Sequence, residues 1–376
     1  MRDLHAHISG SLGGRDIANI VYLNKLYVSG REEINAITEP FGIALADAIA
    51  DGHAAAADAF DKLYTCRPNG TNRFEEAMAR FSITSYLARQ PGGKAQIAAA
   101  ACRAFREDGV SYAEWRVNPF SSTKHGTAEE AYSKLSEYLE GMKDSGMESR
   151  FVLSMSRERY VDGGKPDGER IEYMNRELER LLDTDLPIVG VDVSGPEAVP
   201  IEWFSDTFAL AKKRGLGVVP HVGELNAPME QNIADILHAL EAGADRLGHA
   251  MAAYVPLRIM QGKHDGNGVL YGSGRLERLA EMQKEVLAAI KEKGTPIEVC
   301  PSSNLSAHLG LMEYRDHPVG RLVQEGIPIV VCSDDSGIFG NTVPREMAEL
   351  VNAHGIDMET LRGNADRYAL VRPSKA

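Results

Sequence analysis

The chain lacks any run of about 18 consecutive apolar residues, so no segment reads as a membrane-spanning helix and no membrane partner is expected. It also lacks a basic start followed by an apolar stretch, so a secretory leader is not expected. Cysteine is scarce. The four present, Cys66, Cys102, Cys300 and Cys332, have no short paired spacing and form no CxxC. That pattern argues against a zinc ribbon or redox motif and fits reduced thiols in a cytoplasmic setting. Positive charge is in deficit, with 41 Lys and Arg against 54 Asp and Glu, a formal net charge of −13. A nucleic-acid backbone is therefore not the expected partner. What remains is an ordinary soluble composition, 43% hydrophobic and 25% charged over 376 residues. This is enough chain for one large α/β domain or two smaller ones. No internal repeat or long linker appears, so residues 1–376 are read as one domain.

Short β-prone runs alternate with longer helical stretches. The candidate strands are 4–7, 110–117 ("VSYAEWRV"), 151–155 ("FVLSM"), 188–193 ("IVGVDV"), 217–222 ("GVVPHV"), 245–248 ("DRLG"), 296–300 ("PIEVC") and 327–332 ("IPIVVC"). Several follow a glycine-marked helix stop, as in "EDGV", "KRGLG", "EAGAD", "EKGTP" and "QEGIP". Eight strands alternating with helices predict an α/β fold, a (β/α)8 TIM barrel, ahead of an open doubly wound sheet. The long gap after the first strand looks helical and predicts a helical insertion between strands 1 and 2, at about residues 13–105. A second gap contains "QGKHDGNGVLYGSG", residues 261–274, an expected exposed loop.

Polar residues at the ends of these strands carry the chemistry. His5 and His7 end the first run, His221 ends the fifth, and Asp334 follows the eighth. Strand C-termini share the rim where barrel active sites are built, and residues two apart on a strand point the same way. Three imidazoles and a carboxylate suit one Zn²⁺ with room for water, although ligand type alone leaves iron or cobalt open. Glu224 in "HVGE", His249 in "RLGHA" and Asp335 beside Asp334 fall on the same rim. They supply the acid and the base or orienting group that hydrolysis at a metal needs. Each motif alone is weak; their coincidence at separate strand ends points to a metal-assisted hydrolase.

In order along the chain, "DLHAHISGSL", "DGVSYAEWRVNP", "VDVSGPE", "HVGE", "RLGHA", "EVCPSSN" and "CSDDSGIFG" resemble the adenosine deaminase family of metal-dependent amidohydrolases. The resemblance implies hydrolytic removal of the C6 amino group of a purine, with release of ammonia. It implies one zinc per subunit held by His5, His7, His221 and Asp334. Glu224 corresponds to the acid that protonates purine N1, and His249 to the residue that orients and deprotonates the water. Asp335 matches the carboxylate at N7 and Gly195 the backbone donor to N3. The other deaminase class, marked by H-x-E and P-C-x-x-C, has no counterpart here.

Three departures bear on the substrate. Ser9 stands where an acidic residue commonly holds the 5′-hydroxyl, Pro196 where an acid is common, and Ala250 where glycine is frequent. A neutral Ser9 removes a charge that repels phosphate. The expected substrate is thus adenosine or a 5′-modified adenosine bound by His7, Ser9, Gly195 and Asp335. A nucleotide such as AMP or N6-methyl-AMP, or free adenine, is the alternative. Arg67, Thr71 and Arg73 of "CRPNGTNR" are candidates to meet such a phosphate, set against the plainer reading of a solvated loop. Gly248 before His249 favours a nucleoside-sized ligand over adenine. A reading from a different class, a non-catalytic binding protein on an inherited barrel, is disfavoured because all seven polar positions are present. Oligomeric state is not legible.

Overall fold

The computed structural model describes residues 1–66, 74–120, 126–265, 267–309 and 313–371. All eight expected strand regions form strands: β1 (Arg2–His7), β2 (Tyr112–Val117), β3 (Glu148–Ser156), β4 (Ile188–Ser194), β5 (Gly217–Val218 and His221–Val222), β6 (Leu247–His249), β7 (Ile297–Val299) and β8 (Ile329–Val331). The run read as one strand at 217–222 is split because Pro220 offers no N–H to the ladder. A two-stranded antiparallel ribbon, Val161–Asp162 with Lys165–Pro166, was not anticipated.

The strands pair in parallel as two sheets that meet at two seams. At β5 the first half pairs with β4 and the second with β6. Across that break Val219 N–H donates to Val191 O at 2.9 Å and Gly248 N–H to Pro220 O at 2.8 Å. At the other seam Asp334 bridges β1: its N–H donates to His5 O, and its carbonyl accepts from His7 N–H, both at 2.9 Å. Two segments some 330 residues apart in sequence thus carry the first and last candidate ligands into contact.

The glycines that mark the helix stops behave as expected. Gly109, Gly215, Gly243, Gly294 and Gly326 all take left-handed φ before a strand. Among the described residues between β1 and β2 the chain is largely helical, from Gly14–Leu23 to Gly93–Glu107. The last of these helices lies on Ala128–Met142, where a Cβ on Gly141 would sit 2.0 Å from Ala95 O. The earlier ones bring Met78 and Phe81 over the strand ends. The described residues of 261–272 form turns with an isolated His264–Leu270 bridge, Val269 and Leu270 are exposed as the composition suggests, and residues 273–274 already open the helix Ser273–Lys293. Tyr271 is buried, however, and accepts a hydrogen bond from Met229 N–H at 3.1 Å. No helix among the described residues is long and apolar enough to cross a membrane.

Candidate metal-dependent active site

All of the strand-end residues singled out from sequence gather at one rim. His5 Nε2 and His7 Nε2 each lie 3.2 Å from His221 Nε2. Asp334 Oδ1 lies 3.5 Å from His5 Nε2 and 3.4 Å from His7 Nε2. Two donors held about 2.0–2.1 Å from one tetrahedral ion stand about 3.4 Å apart, so these four separations match the edges of a zinc-sized shell. His249 joins the cluster: donor atoms of His5, His221, His249 and Asp334 all lie within 4.8 Å of one another. Its Nε2 is 4.0 Å from Asp334 Oδ2 and 3.5 Å from Glu224 Oε1.

The buried layer beneath explains why these nitrogens want a cation. His5 Nδ1 is 2.8 Å from Glu298 Oε2, and His221 Nδ1 is 3.0 Å from Asp192 Oδ1. Each Nδ1 therefore donates to a carboxylate, which leaves a lone pair on each Nε2. In their neutral forms the two rings present these lone pairs to each other, an arrangement that a shared metal ion relieves. Burial, and then the charge of Arg116, hold His5 well below the usual imidazole range, and burial brings His7 down to about 4. Both are thus neutral and able to ligate at pH 7. His221 is raised instead, burial being outweighed by Asp192. The donor set fits a divalent ion.

Glu224 is buried and fixed at both ends. Its backbone N–H donates to Glu197 Oε1 at 3.0 Å, and Asn226 Nδ2 donates to its Oε2 at 3.1 Å. Asp335 is buried as well, and its Oδ1 has no hydrogen-bond partner among the described residues. Burial, then Asp334 and Glu224, push its carboxyl well above the usual range, giving it a proton to donate. Gly10 leaves it room: a Cβ there would fall 1.7 Å from Asp335 Oδ1. Gly195 has φ +95°, a conformation that favours glycine, and a Cβ on it would displace the carboxylate of Glu158, whose Oε2 would lie 2.6 Å away.

His249 is held by a relay that fixes its proton. Val319 N–H donates to His317 Nδ1 at 3.2 Å, so His317 carries its proton on Nε2, facing Asn304 Oδ1 at 3.3 Å. The Asn304 amide then turns Nδ2 toward His249 Nδ1, at 3.0 Å. The neutral His249 ring therefore bears its hydrogen on Nε2, on the side of Glu224 and Asp334. Backbone strain collects at the same place. His249, Ala250 and Asp334 have φ of 59°, 45° and 61°, unusual for residues with a Cβ. Ala250 occupies a left-handed position that glycine adopts without strain.

His7, Gly195, His221, Glu224, Asp334 and Asp335 line a cavity of about 250 Å³ over this cluster. Ser9 lies outside it, on a wider adjoining chamber of about 1050 Å³. Arg67, Thr71 and Arg73 lie outside the described residues. Sequence reasoning did not single out Glu197, Asp192, Glu298, Arg116, Asn304 or His317. Five of these six stand inside motifs that were quoted, and for Asp192, Glu298 and Arg116 a charged residue within an otherwise apolar strand was the available signal. His317 gave none.

The family model described as adenosine deaminase matches residues 54–370. An aminodeoxyfutalosine deaminase of Acidothermus cellulolyticus is 28% identical over 277 residues, 73% of this chain and 68% of that protein. An adenosine deaminase of Clostridium kluyveri is 22% identical over 96% of this chain and 85% of its own length. A bovine N6-methyl-AMP deaminase is 25% identical over 72% of this chain and 69% of its own. Among solved structures, an adenine deaminase from Arthrobacter aurescens superposes with a TM-score of 0.65 at 18% identity, covering 99% of this chain and 94% of its own. A zinc-bound amidohydrolase from Burkholderia ambifaria gives 0.63 at 17% identity, over 99% of this chain and 85% of that one. Likeness at that identity speaks for the fold.

Proposed function

Because the chain belongs to the adenosine deaminase family, hydrolases of C–N bonds, we propose that it deaminates C6 of a 6-aminopurine nucleoside, adenosine or a 5′-modified adenosine. The inosine-type product and ammonia result. The observation that carries this reading is the convergence of two unlike groups on one small cavity. Donor atoms of His5, His221, His249 and Asp334, with His7 Nε2 beside His221 and Asp334, gather at metal-binding distances at its floor, and the buried carboxyls Glu224 and Asp335 line it.

Zinc is the proposed ion, held by His5, His7, His221 and Asp334; when bound, it supplies Lewis-acid activation of water at neutral pH. Glu224 holds a proton for purine N1, which draws electron density from C6 as the oxygen attacks. His249, with hydrogen on Nε2, orients the attacking water from the side of Glu224. Asp335 hydrogen-bonds N7 and the Gly195 N–H meets N3, so the ring has one productive pose. Apolar Met78, Phe81 and Phe339 line the cavity and limit water beyond the reacting molecule. The two protons of the water complete the balance: one passes to the 6-amino group, which leaves as ammonia, and the other returns to Glu224, leaving C6 as a carbonyl.

The test is metal content together with ammonia release from adenine, adenosine, 2′-deoxyadenosine, AMP and N6-methyl-AMP. The expected result is about one zinc per chain and ammonia from at least one nucleoside or nucleotide. A metal-free protein that releases none would favour a binding protein on an inherited barrel.

A further inference from the structure

A short 3-10 turn, Arg157–Tyr160, follows β3 directly and stands where the inner cavity meets the wider chamber. Its backbone is fixed from both ends. Arg157 is fully buried, with Nη1 donating to Asp235 Oδ2 at 2.7 Å and to Val199 O at 2.8 Å, and Nη2 to His221 O at 2.6 Å. Tyr160 is buried too, its ring edge-on to Phe204 with centroids 5.8 Å apart. Between these anchors Glu158 is exposed and lines both spaces. The backbone that carries its carboxylate is thus set before any ligand arrives, which lowers the ordering that binding must supply.

Glu158 also lies against a position already assigned to the base. Its Oε2 is the atom that a Cβ on Gly195 would meet first, at 2.6 Å, with Arg157 N next at 3.6 Å. The Gly195 N–H is the proposed donor to purine N3. In a purine nucleoside N3 and N9 are bonded to the same ring carbon, C4, and N9 carries the sugar. In the extended (anti) conformer the 2′-hydroxyl is the sugar hydroxyl nearest N3. A base seated on Gly195 therefore brings its 2′ side, and the neighbouring 3′-hydroxyl, toward Glu158.

The polar groups at this edge complement a diol. A carboxylate only accepts, on two oxygens, and two vicinal hydroxyls supply two donors. The oxygens of those hydroxyls need donors in turn. Ser156 Oγ accepts from Asn118 Nδ2 at 2.7 Å, and Ser194 Oγ accepts from Ser154 Oγ at 2.8 Å, so each serine keeps a hydroxyl hydrogen to give. Both serines line the same two spaces as Glu158.

We infer that Glu158 reads the vicinal 2′,3′-diol of a ribose, which makes it a specificity-determining residue for ribonucleosides over 2′-deoxyribonucleosides. This rests on the deaminase reading of the inner cavity, whose purine on Gly195 supplies the register. Removing a hydroxyl that is bonded to a charged group costs about 10–100-fold in binding.

The zinc-loaded protein is assayed for ammonia release from adenosine, 2′-deoxyadenosine and 3′-deoxyadenosine. It is also titrated calorimetrically with inosine and 2′-deoxyinosine, which bear no amino group to lose. The expected kcat/KM for adenosine is about 10–100-fold above that for 2′-deoxyadenosine, chiefly through KM, and that for 3′-deoxyadenosine also falls. Glu158→Gln, and separately Glu158→Ala, should bring the adenosine-to-2′-deoxyadenosine ratio to within about threefold of unity, since two groups in contact lose their coupling together. A partly unfolded variant turns over both substrates less, and that loss cancels in the ratio. Equal kcat/KM for adenosine and 2′-deoxyadenosine in the wild type overturns the inference, as does a ratio unchanged in both variants; with ammonia released, either result leaves the deaminase reading standing. Inosine bound more tightly than 2′-deoxyinosine in a manner that depends on Glu158, with no ammonia from any 6-aminopurine, would instead uphold the diol site and overturn the deaminase reading.

Discussion

Two buried ionic clusters lie within a few residues of each other along the same strands, and they are built on opposite principles. Within the barrel, Arg246 reaches Glu298 at 2.6 Å and Glu114 at 2.5 Å, while Arg116 reaches Asp192 at 2.8 Å and Glu298 at 2.5 Å. Every carboxylate there faces a guanidinium. The last described residues complete the layer: Arg246 donates to Tyr368 O at 2.8 Å and Leu370 N–H donates to Glu114 Oε1 at 2.7 Å. At the rim, Glu224 and Asp334 crowd beside imidazoles instead, with Glu197 and Asp335 as further carboxyls close to them. There, burial raises Glu197 to about 7, with Glu224 adding to the rise against Arg157, and burial, then Asp334 and Glu224, hold Asp335 well above its usual range. A compensated cluster holds a fold together; a crowded, under-neutralised one stores demand for a cation and for protons.

The sharpest way to break the contrast is at the rim. His5→Ala should remove most of the metal and reduce activity to background, read by metal analysis and ammonia release. Glu224→Gln should keep the metal yet lower kcat by about 10²–10⁴, the usual worth of a positioned proton donor. A Glu224→Gln rate near wild type would reassign the acid. One layer down, Glu298→Gln touches both clusters, since Glu298 Oε2 meets His5 Nδ1 as well as Arg116. It should weaken metal affinity by about 10–100-fold in a chelator competition, and lower stability by leaving two guanidiniums short of charge.

The smallest effect concerns stability against pH. Burial raises Glu346 to about 7, against hydrogen bonds from Ser302 and others. A carboxyl with a raised folded pKa contributes fully below its unfolded value and loses that contribution as pH rises through the folded one. Thermal melts should therefore show stability falling between about pH 4.5 and 7, with Glu346→Gln flattening that slope. An equal slope in the variant would place the pH dependence elsewhere, with the rim carboxyls as the next suspects.

Much of the site was legible because strand ends carry it. His5, His7, His221, Glu224, His249, Asp334 and Asp335 are short motifs at the ends of β-prone runs, and parallel strands of a barrel deliver such ends to one rim. Glu298 and Asp192 were not read as ligand supports. A carboxylate in a strand looks the same whether it faces an arginine, a histidine or solvent. Asn304 and His317 were hidden for a similar reason, since their effect on His249 is a chain of hydrogen bonds between separate segments.

The sequence by itself determined the alternation of strand and helix, the glycine stops before strands, and which residue types could ligate or exchange protons. These follow from local conformational preference and side-chain chemistry, which need no partner to be read. Only the tertiary structure decided that Nε2 lone pairs of His5 and His221 face each other 3.2 Å apart, and that His249 keeps its hydrogen on Nε2. It alone set the carboxylate of Glu158 against Gly195. Distances between residues far apart in the chain set these properties, and charge and tautomer depend on such distances rather than on composition.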